Sequence, residues 1–411
     1  MNERLRALAG EVEREIAGVY RWIDEVALAN HRKTLDAFHE YRVSEFHFRG
    51  STGYGYGDPG REVLDRVWAR VFGAESALVR TQIVSGTHAL ALAFYGLCRP
   101  GDQLVAVGRP YDTLERVIGI KARVPGSLTD LGVGYRQVDL DGNGRPDKAA
   151  LVAALTRSTK VVFLQRSGGY DWRPALDIEA MAGLIGLVKS HAPHARVVVD
   201  NCYGEFTEVR EPSEVGADLV CGSLIKNPGG GLAPTGGYVA GCAECVELAA
   251  ARLTAPGLGR EVGASLYNLR LLYQGFYLAP HFVSEALKGA VFSARLMERL
   301  GYEVKPGYAD RRSDTIQGIR LGTPERVIAF CRGIQKASPV DAHAFPEPAP
   351  LPGYADGVVM AAGTFVQGAS LELTADAPFR EPFAVYLQGG LSREYVKLGV
   401  LTAIQEMNKL Q

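Results

Sequence analysis

The chain has 411 residues, 47% hydrophobic and 22% charged, which is enough apolar length to bury a large domain with a smaller one beside it. Its 45 basic and 46 acidic residues nearly cancel, so no overall field draws in nucleic acid or an anionic membrane, and the expected ligand is small. From the charged start MNERLRALAGEVEREI no secretory leader is expected, and the longest apolar run, Leu90 to Cys98, falls far short of the ~20 residues of a membrane span.

Six cysteines, at 98, 202, 221, 242, 245 and 331, lack the dense spacing of a disulfide framework, so a soluble, cytoplasmic protein is expected. Cys242 and Cys245 form a CxxC pair, but no second pair completes a tetrahedral zinc site, and no metal is expected.

In chain order, residues 1 to about 40 predict helix, because Leu5, Leu8, Val12, Ile16, Val19 and Ile23 recur every three or four positions. The glycine-rich stretch SEFHFRGSTGYGYGDPGRE cannot continue a helix and reads as a loop. From Val63 to Cys221 helical stretches alternate with the apolar runs QLVAVG, KVVFLQ and ARVVVD, the pattern of a parallel sheet covered by helices. Within this region VDLDGNGRPD starts like a calcium loop, with Asp139, Asp141 and Asn143. The twelfth position falls on Ala150, which cannot ligate, so a plain turn is expected.

Beyond residue 283, SEALKGAVFSARLMERLGYEV predicts a long helix. Strands GVVMAAGTF, ASLELTA and FAVYLQ follow, then a last helix EYVKLGVLTAIQEM. The division expected is a helical segment and loop over 1–50, a large α/β domain over 51–285 and a small α+β domain over 286–411.

Three features carry chemistry. In IVSGTHALALAF a strand meets Ser85, Gly86 and Thr87 and a helix begins, so free N–H groups and the helix dipole create an anion site, although a plain N-cap has the same look. In ARVVVDNCYGEF a buried strand ends in Asp200, where open α/β sheets bind ligands; a turn or cap residue is the alternative. In ADLVCGSLIKNPGGG, Lys226 lies between an apolar strand and three glycines, and apolar surroundings are expected to depress its amine. Only 226 − 200 = 26 positions separate acid and amine. An imine-forming lysine, an acid for a pyridine nitrogen and N–H donors for a phosphate are the parts that a pyridoxal 5'-phosphate site needs.

The stretch VVVDNCYGEF…EVGADLVCGSLIKNPGGG…GGYVAG resembles the lysine region of the trans-sulfuration enzymes: the cystathionine lyases and synthases and the methionine gamma-lyases. More closely, FHFRGSTGYGYGD, VSGTHA, GRPYDTLE, FLQRS, GSLIKNPGGG and YLQGGL resemble the bacterial aluminium-resistance family, which is methionine gamma-lyase-like or cystathionine beta-lyase-like, from about residue 40 to the C-terminus.

The resemblance implies the aspartate aminotransferase-like fold (fold type I), with Lys226 carrying pyridoxal phosphate as a Schiff base and Asp200 pairing with the ring nitrogen. Tyr111 would stack on the ring, Ser85, Gly86, Thr87 and Ser223 would bind the phosphate, and Tyr54 and Tyr56 would reach the neighbouring subunit's phosphate in a homodimer or homotetramer with shared sites. His88 is read as capping or packing in its helix rather than touching the cofactor.

Three departures matter. Ile225 stands where the trans-sulfuration enzymes have a hydroxyl, so one phosphate donor is missing, and Tyr386 where they have the arginine that grips the substrate carboxylate, which leaves Arg166, Arg380 and Arg393 as candidates for that grip. The aluminium-resistance relatives usually carry an arginine where this chain has Gly168. The implied activity is carbon–sulfur elimination from a sulfur-containing amino acid. Aminotransfer, or cofactor binding with little turnover in metal tolerance, would use the same lysine and acid.

Overall fold

The structure, a computed structural model, describes residues 3–122, 124–350 and 356–410. Two helices, α1 (Glu3–Glu15) and α2 (Ala17–Glu40), form where one continuous helical stretch is expected; the break falls at the buried Ile16. The glycine-rich loop follows and ends at α3 (Pro59–Phe72), whose cap Asp58 accepts the Arg61 N–H at 2.9 Å, with Pro59 in the first turn and Gly73 left-handed at the exit.

The large sheet is then laid down as β1 (Ser76–Arg80), β2 (Gln103–Val107), β3 (Gly134–Val138), β4 (Thr159–Gln165), β5 (Arg196–Asp200), β6 (Leu219–Ser223) and β7 (Gly237–Gly241). Between them run α4 (Gly86–Leu97), α5 (Asp112–Ile118), α6 (Lys148–Ala154) and α7 (Ile178–His191). After β7 come α8 (Ala243–Leu253) and the 31-residue α9 (Leu269–Arg299). The remainder is β8 (Glu303–Lys305), β9 (Ile316–Arg320), α10 (Pro324–Ala337), β10 (Val358–Ala361), β11 (Thr374–Pro378), β12 (Ala384–Gln388) and α11 (Arg393–Asn408).

Among the described residues the strands form a seven-stranded sheet, ordered β1-β7-β6-β5-β4-β2-β3, and a five-stranded antiparallel one, ordered β10-β11-β12-β9-β8. In the large sheet only β7 runs antiparallel to its neighbours. The apolar runs predicted as strands become β2, β4 and β5, paired in parallel and buried on both faces, as expected of strands between two helical layers. The stretch ASLELTA is a correction: the strand begins only at Thr374, because the chain before it is irregular, with the Leu371 carbonyl accepting the Gly390 N–H at 2.7 Å. The calcium-like segment is a turn in which Asp141 Oδ1 accepts the Asn143 and Arg145 N–H groups. Among the described residues no helix is long and apolar enough to cross a membrane.

The long helix starts at Leu269, well before the predicted start, and runs through position 285; we propose that α9 is the element shared by the large and small domains. Trp68 of α3 stacks on Phe276 of α9 at 3.9 Å between ring centroids, which anchors it to the large domain. At the preceding residue the fit is backbone on backbone: a Cβ at Gly275 would stand 2.1 Å from the Gly229 carbonyl, in the loop just after Lys226. Gly275→Ala must therefore push α9 off the lysine loop, costing about 1–3 kcal/mol. Its melting temperature should fall and its pyridoxal phosphate titration weaken; wild-type values for both would disprove the contact.

Candidate active site

The functional side chains converge where the carboxyl ends of the parallel strands meet the small domain, around a cavity of about 290 Å³. Its lining includes Ser85, Gly86, Thr87, Tyr111, Asp200, Cys202, Tyr203, Ser223 and Lys226.

The turn between β1 and α4 is built from its own side chains. Ser85 caps the helix, its Oγ accepting the His88 N–H at 3.1 Å, and His88 Nδ1 accepts the Val84 N–H at 3.2 Å, so this histidine closes the turn. The first N–H groups of α4 are left for an anion. Gly86 keeps the space open, since a Cβ there would stand 3.0 Å from Cys202 Sγ and 3.6 Å from the Ser223 side chain. Thr87 Oγ1 lies 3.0 Å from the Tyr111 hydroxyl.

Asp200 is the last residue of β5, and its Oδ1 accepts the Cys202 N–H at 3.1 Å. The carboxylate is buried with no cation bonded to it among the described residues, and burial raises its pKa while the Lys226 charge opposes that rise. Beyond it the chain turns through Tyr203 at φ 72° and Phe206 at φ 63°, left-handed values that bulky residues rarely adopt. Asn227 holds the turn by donating to the Tyr203 carbonyl at 2.9 Å and the Glu205 carbonyl at 3.0 Å. The result is that the Tyr203 ring lies under Lys226, with Nζ 4.0 Å from its centroid.

Burial works against the Lys226 ammonium, yet the acidic groups around it, Cys202, Tyr203, Asp200 and Tyr111, raise its pKa, and while the thiol and the phenols stay protonated the charge that does so is that of Asp200. The depressed amine expected from apolar surroundings is therefore corrected: the neighbourhood is buried but polar, and Asp200 favours the charged lysine. Burial keeps the Tyr111 phenol and the Cys202 thiol protonated, with the Asp200 charge adding to it.

Four candidates lie elsewhere. Arg166 is fully buried behind the site, donating to Asn201 Oδ1 at 2.8 Å, Glu208 Oε2 at 2.7 Å and Glu211 Oε2 at 3.3 Å, so both its terminal amino groups are bound into the scaffold. Arg393 pairs with Glu394 at 3.0 Å and stands over Tyr20, away from the cavity. Both are corrections to the candidates for the carboxylate grip. Arg380 does line the cavity, ion-paired to Asp356 at 2.7 Å. Tyr54 and Tyr56 are 76% and 62% exposed, pack on each other and do not line their own chain's cavity. Cys202, Tyr203 and Tyr170 line the cavity without having been singled out; the signal for the first two was their place directly after Asp200.

A primary amine, a buried acid and a glycine-floored helix start, gathered at one end of a mainly parallel sheet, fit pyridoxal phosphate. A PLP-dependent protein from Escherichia coli, YhfS, shares the fold at 16% identity with a TM-score of 0.64, over 95% of this chain and 97% of that one. The chain thus has the fold of that PLP-dependent protein, fold type I. More narrowly, the chain belongs to the methionine gamma-lyase family, whose model matches residues 5–408. It is 50% identical over 411 residues to the uncharacterised Bacillus subtilis protein YnbB, covering 100% of this chain and 98% of that one. A Clostridium novyi carbon–sulfur lyase involved in aluminium resistance matches at 48% identity and TM-score 0.95, over 98% of this chain and 96% of the other. A Listeria monocytogenes protein described as a candidate cystathionine beta-lyase involved in aluminium resistance matches at 52% and 0.96, over 98% and 100%. The family makes this chain a PLP-dependent carbon–sulfur lyase.

Below the site, Glu205 accepts the Tyr238 hydroxyl proton at 2.8 Å, and its other oxygen has no partner among the described residues. Burial raises its pKa from 4.5 to about 8. The folded protein thus holds a proton that the unfolded chain gives up near pH 4.5, so this stability is complete below pH 4.5 and lost as pH rises to about 8. In urea unfolding of the cofactor-free protein, Glu205→Gln should remove a pH dependence on the order of a few kcal/mol. Equal slopes for variant and wild type would show that Glu205 does not titrate there.

Proposed function

We propose that the enzyme eliminates a thiol from a sulfur-containing amino acid, with Lys226 as the base at Cα. The observation that carries this reading is the convergence of Lys226, Asp200, Tyr111 and the Ser85–Thr87 turn on one cavity. Gly86, Thr87, Ser85 and Ser223 would hold the cofactor phosphate, Tyr111 would stack on the ring, and Asp200 would face its nitrogen. When bound, pyridoxal phosphate supplies an electron sink for the substrate's Cα. Lys226 then acts as carrier and as proton acceptor, its Nζ held in place by the Tyr203 ring. Asp200, short of a cation, favours a protonated pyridine ring. Arg380 is our candidate for the substrate carboxylate, because of the guanidinium candidates only it lines the cavity with a single, half-exposed partner to displace. The free cysteines, most of them buried, suit a reducing cytoplasm.

The test is a screen of purified enzyme with methionine, cystathionine and S-alkyl cysteines, assaying thiol, keto acid and ammonia. Release of thiol with pyruvate marks β-elimination; release with 2-oxobutyrate marks γ-elimination. Borohydride reduction should fix the cofactor on the Lys226 peptide. A change in the cofactor spectrum that needs an added keto acid to reverse, with no thiol released, would instead mean aminotransfer.

We also propose that Tyr54 and Tyr56 complete the phosphate site of a neighbouring subunit. Their loop is tied down, with Arg61 Nη1 donating to the Gly55 carbonyl at 2.9 Å and the Gly263 carbonyl at 2.7 Å, yet both rings face outward. Rigidly presented aromatics of this kind mark an interface. Mixing inactive Lys226→Ala and Tyr56→Phe subunits should restore roughly a quarter of wild-type activity, because a hybrid dimer has one intact site. No recovery, with hybrids verified, would rule out the shared site.

A further inference from the structure

The CxxC pair, Cys242 and Cys245, lies outside the site described above. Cys242 is the residue on which α8 begins, with φ −65° and ψ 141°, and Cys245 is the third residue of this 11-residue helix. Side chains at these two positions face each other across a helix start. The backbone there is held at both ends: the Cys242 N–H donates to the Asp218 carbonyl at 2.9 Å, and the Cys242 carbonyl accepts the Val246 N–H at 3.1 Å. Cys242 is half-buried, whereas Cys245 is 1% exposed and packs in the core with Val246 and Ala249.

Helix capping does not account for a cysteine at 242. At α3, α4, α6, α7, α10 and α11 an Asp, Ser or Thr side chain accepts an N–H of the first turn. At α8 the Ala243 N–H goes instead to Glu75 Oε2 at 2.9 Å, and Cys242 makes no such bond. Packing explains a small apolar residue at 245, but a second thiol facing it from a half-buried position makes a dithiol.

Charges reach the pair from every neighbouring element: Glu75 before β1, Arg196 at the start of β5, Asp218 before β6, Lys189 of α7 and Glu244 of α8. Arg196 bridges Asp218 at 3.1 Å and Glu244 at 2.7 Å, and Lys189 holds Asp218 at 2.6 Å. Hydrogen bonding from the Cys245 thiol pulls the Cys242 thiol down to about 7, with burial opposing and the Arg196 charge assisting. The same contact, together with burial, pushes the Cys245 thiol up. Near neutral pH one sulfur is therefore half ionised while its neighbour keeps its proton.

We propose that Cys242 and Cys245 are a redox-active dithiol that reduces low-molecular-weight disulfides, Cys242 attacking and Cys245 resolving. The Cys242 thiolate bonds to one sulfur of the disulfide, whose S–S bond breaks, and the released thiolate takes up a proton from solvent in place of the one Cys242 lost. Cys245 then gives up its proton and bonds to the Cys242 sulfur, expelling the second small thiol with that proton. Two protein thiols are oxidised to one disulfide, and one small disulfide is reduced to two thiols. Side chains three apart on a helix have Cβ atoms ~5–6 Å apart and a disulfide needs ~4 Å. A helix start, whose first N–H groups make no helical bonds, can move to close that gap.

The dithiol stands away from the elimination site. β7 runs antiparallel to β6 with Gly241 opposite Leu219, so Cys242 lies beside the start of β6, and Lys226 lies beyond its end.

The experiment treats the holoenzyme with 2-hydroxyethyl disulfide under native conditions and maps its thiols by mass spectrometry. Wild type should lose two of its six free thiols, joined as a Cys242–Cys245 disulfide that dithiothreitol reverses, with the pyridoxal phosphate spectrum unchanged. Cys245→Ser and Cys245→Ala should both stop at a mixed disulfide on Cys242, and Cys242→Ser should leave Cys245 unmodified. The rate of Cys242 modification in wild type should rise through about pH 7 and level off above it, because the thiolate is the nucleophile. Cys245→Ser keeps a hydroxyl donor and should keep that profile, whereas Cys245→Ala should react roughly fivefold more slowly at about pH 7, its profile moved to higher pH. Absence of reaction, a mixed disulfide that persists on wild-type Cys242, faster modification of another cysteine, or one pH profile for all three proteins would overturn the proposal. A cofactor spectrum altered by oxidation would overturn the separation of the dithiol from the site.

Discussion

A primary amine and a carboxylate are enclosed together at the ends of neighbouring parallel strands, and most of the unusual local structure follows from the need to keep them so. Asp200 ends β5, and Lys226 lies just past the end of β6, its partner in the sheet. Either charge alone would be expensive so far from water. Together each has a counterpart, the ammonium for the carboxylate. The left-handed backbone at Tyr203, the Asn227 clamp and the backbone contact between Gly229 and Gly275 all fix the short segments that carry the pair. Strain at one turn is tolerated because hydrogen bonds from two directions over-determine it, with Thr315 also donating to the Tyr203 carbonyl at 3.1 Å.

The arginines divide according to depth. Arg166 looks like a substrate clamp by its place directly after β4, but the Asn201, Glu208 and Glu211 side chains surround it and make it part of the floor beneath Asp200. With both terminal amino groups bound and the side chain sealed behind the cavity, it cannot reach a ligand there. Arg380, paired only with the half-exposed Asp356, keeps that capacity.

Three buried acids, Asp200, Glu205 and Asp376, are all pushed upward by desolvation, but their partners separate their roles. Asp200 faces a lysine and lacks a bonded cation, which suits it to a cationic ring. Glu205 is enclosed with Tyr238 and is best satisfied as a neutral acid under the site. Asp376 accepts the Tyr170 hydroxyl and the Gln388 amide on one oxygen and is held behind the cavity wall. Burial sets the direction of all three shifts, and hydrogen-bond geometry decides what each proton can reach.

Much of this was legible in the sequence because the responsible residues are close together along the chain. Apolar runs ending in Asp200 or leading to Lys226 declare buried strands, and a serine–glycine–threonine turn before a helix declares an anion site, since local backbone geometry alone creates the donors. The family resemblance added the cofactor ring's partner roles to the same positions. What sequence could not supply was the outcome of contacts between distant segments. It expected a depressed amine at Lys226 from apolar neighbours, but folding brings Tyr111, Asp200 and Tyr203 to it, and their polarity outweighs burial. It could not tell Arg166 from Arg380, because whether a guanidinium is already bonded depends on which loops close over it. Nor could it pair Tyr170 with Asp376, 206 positions apart, since only the docking of the small sheet against the large one places that carboxyl behind that phenol.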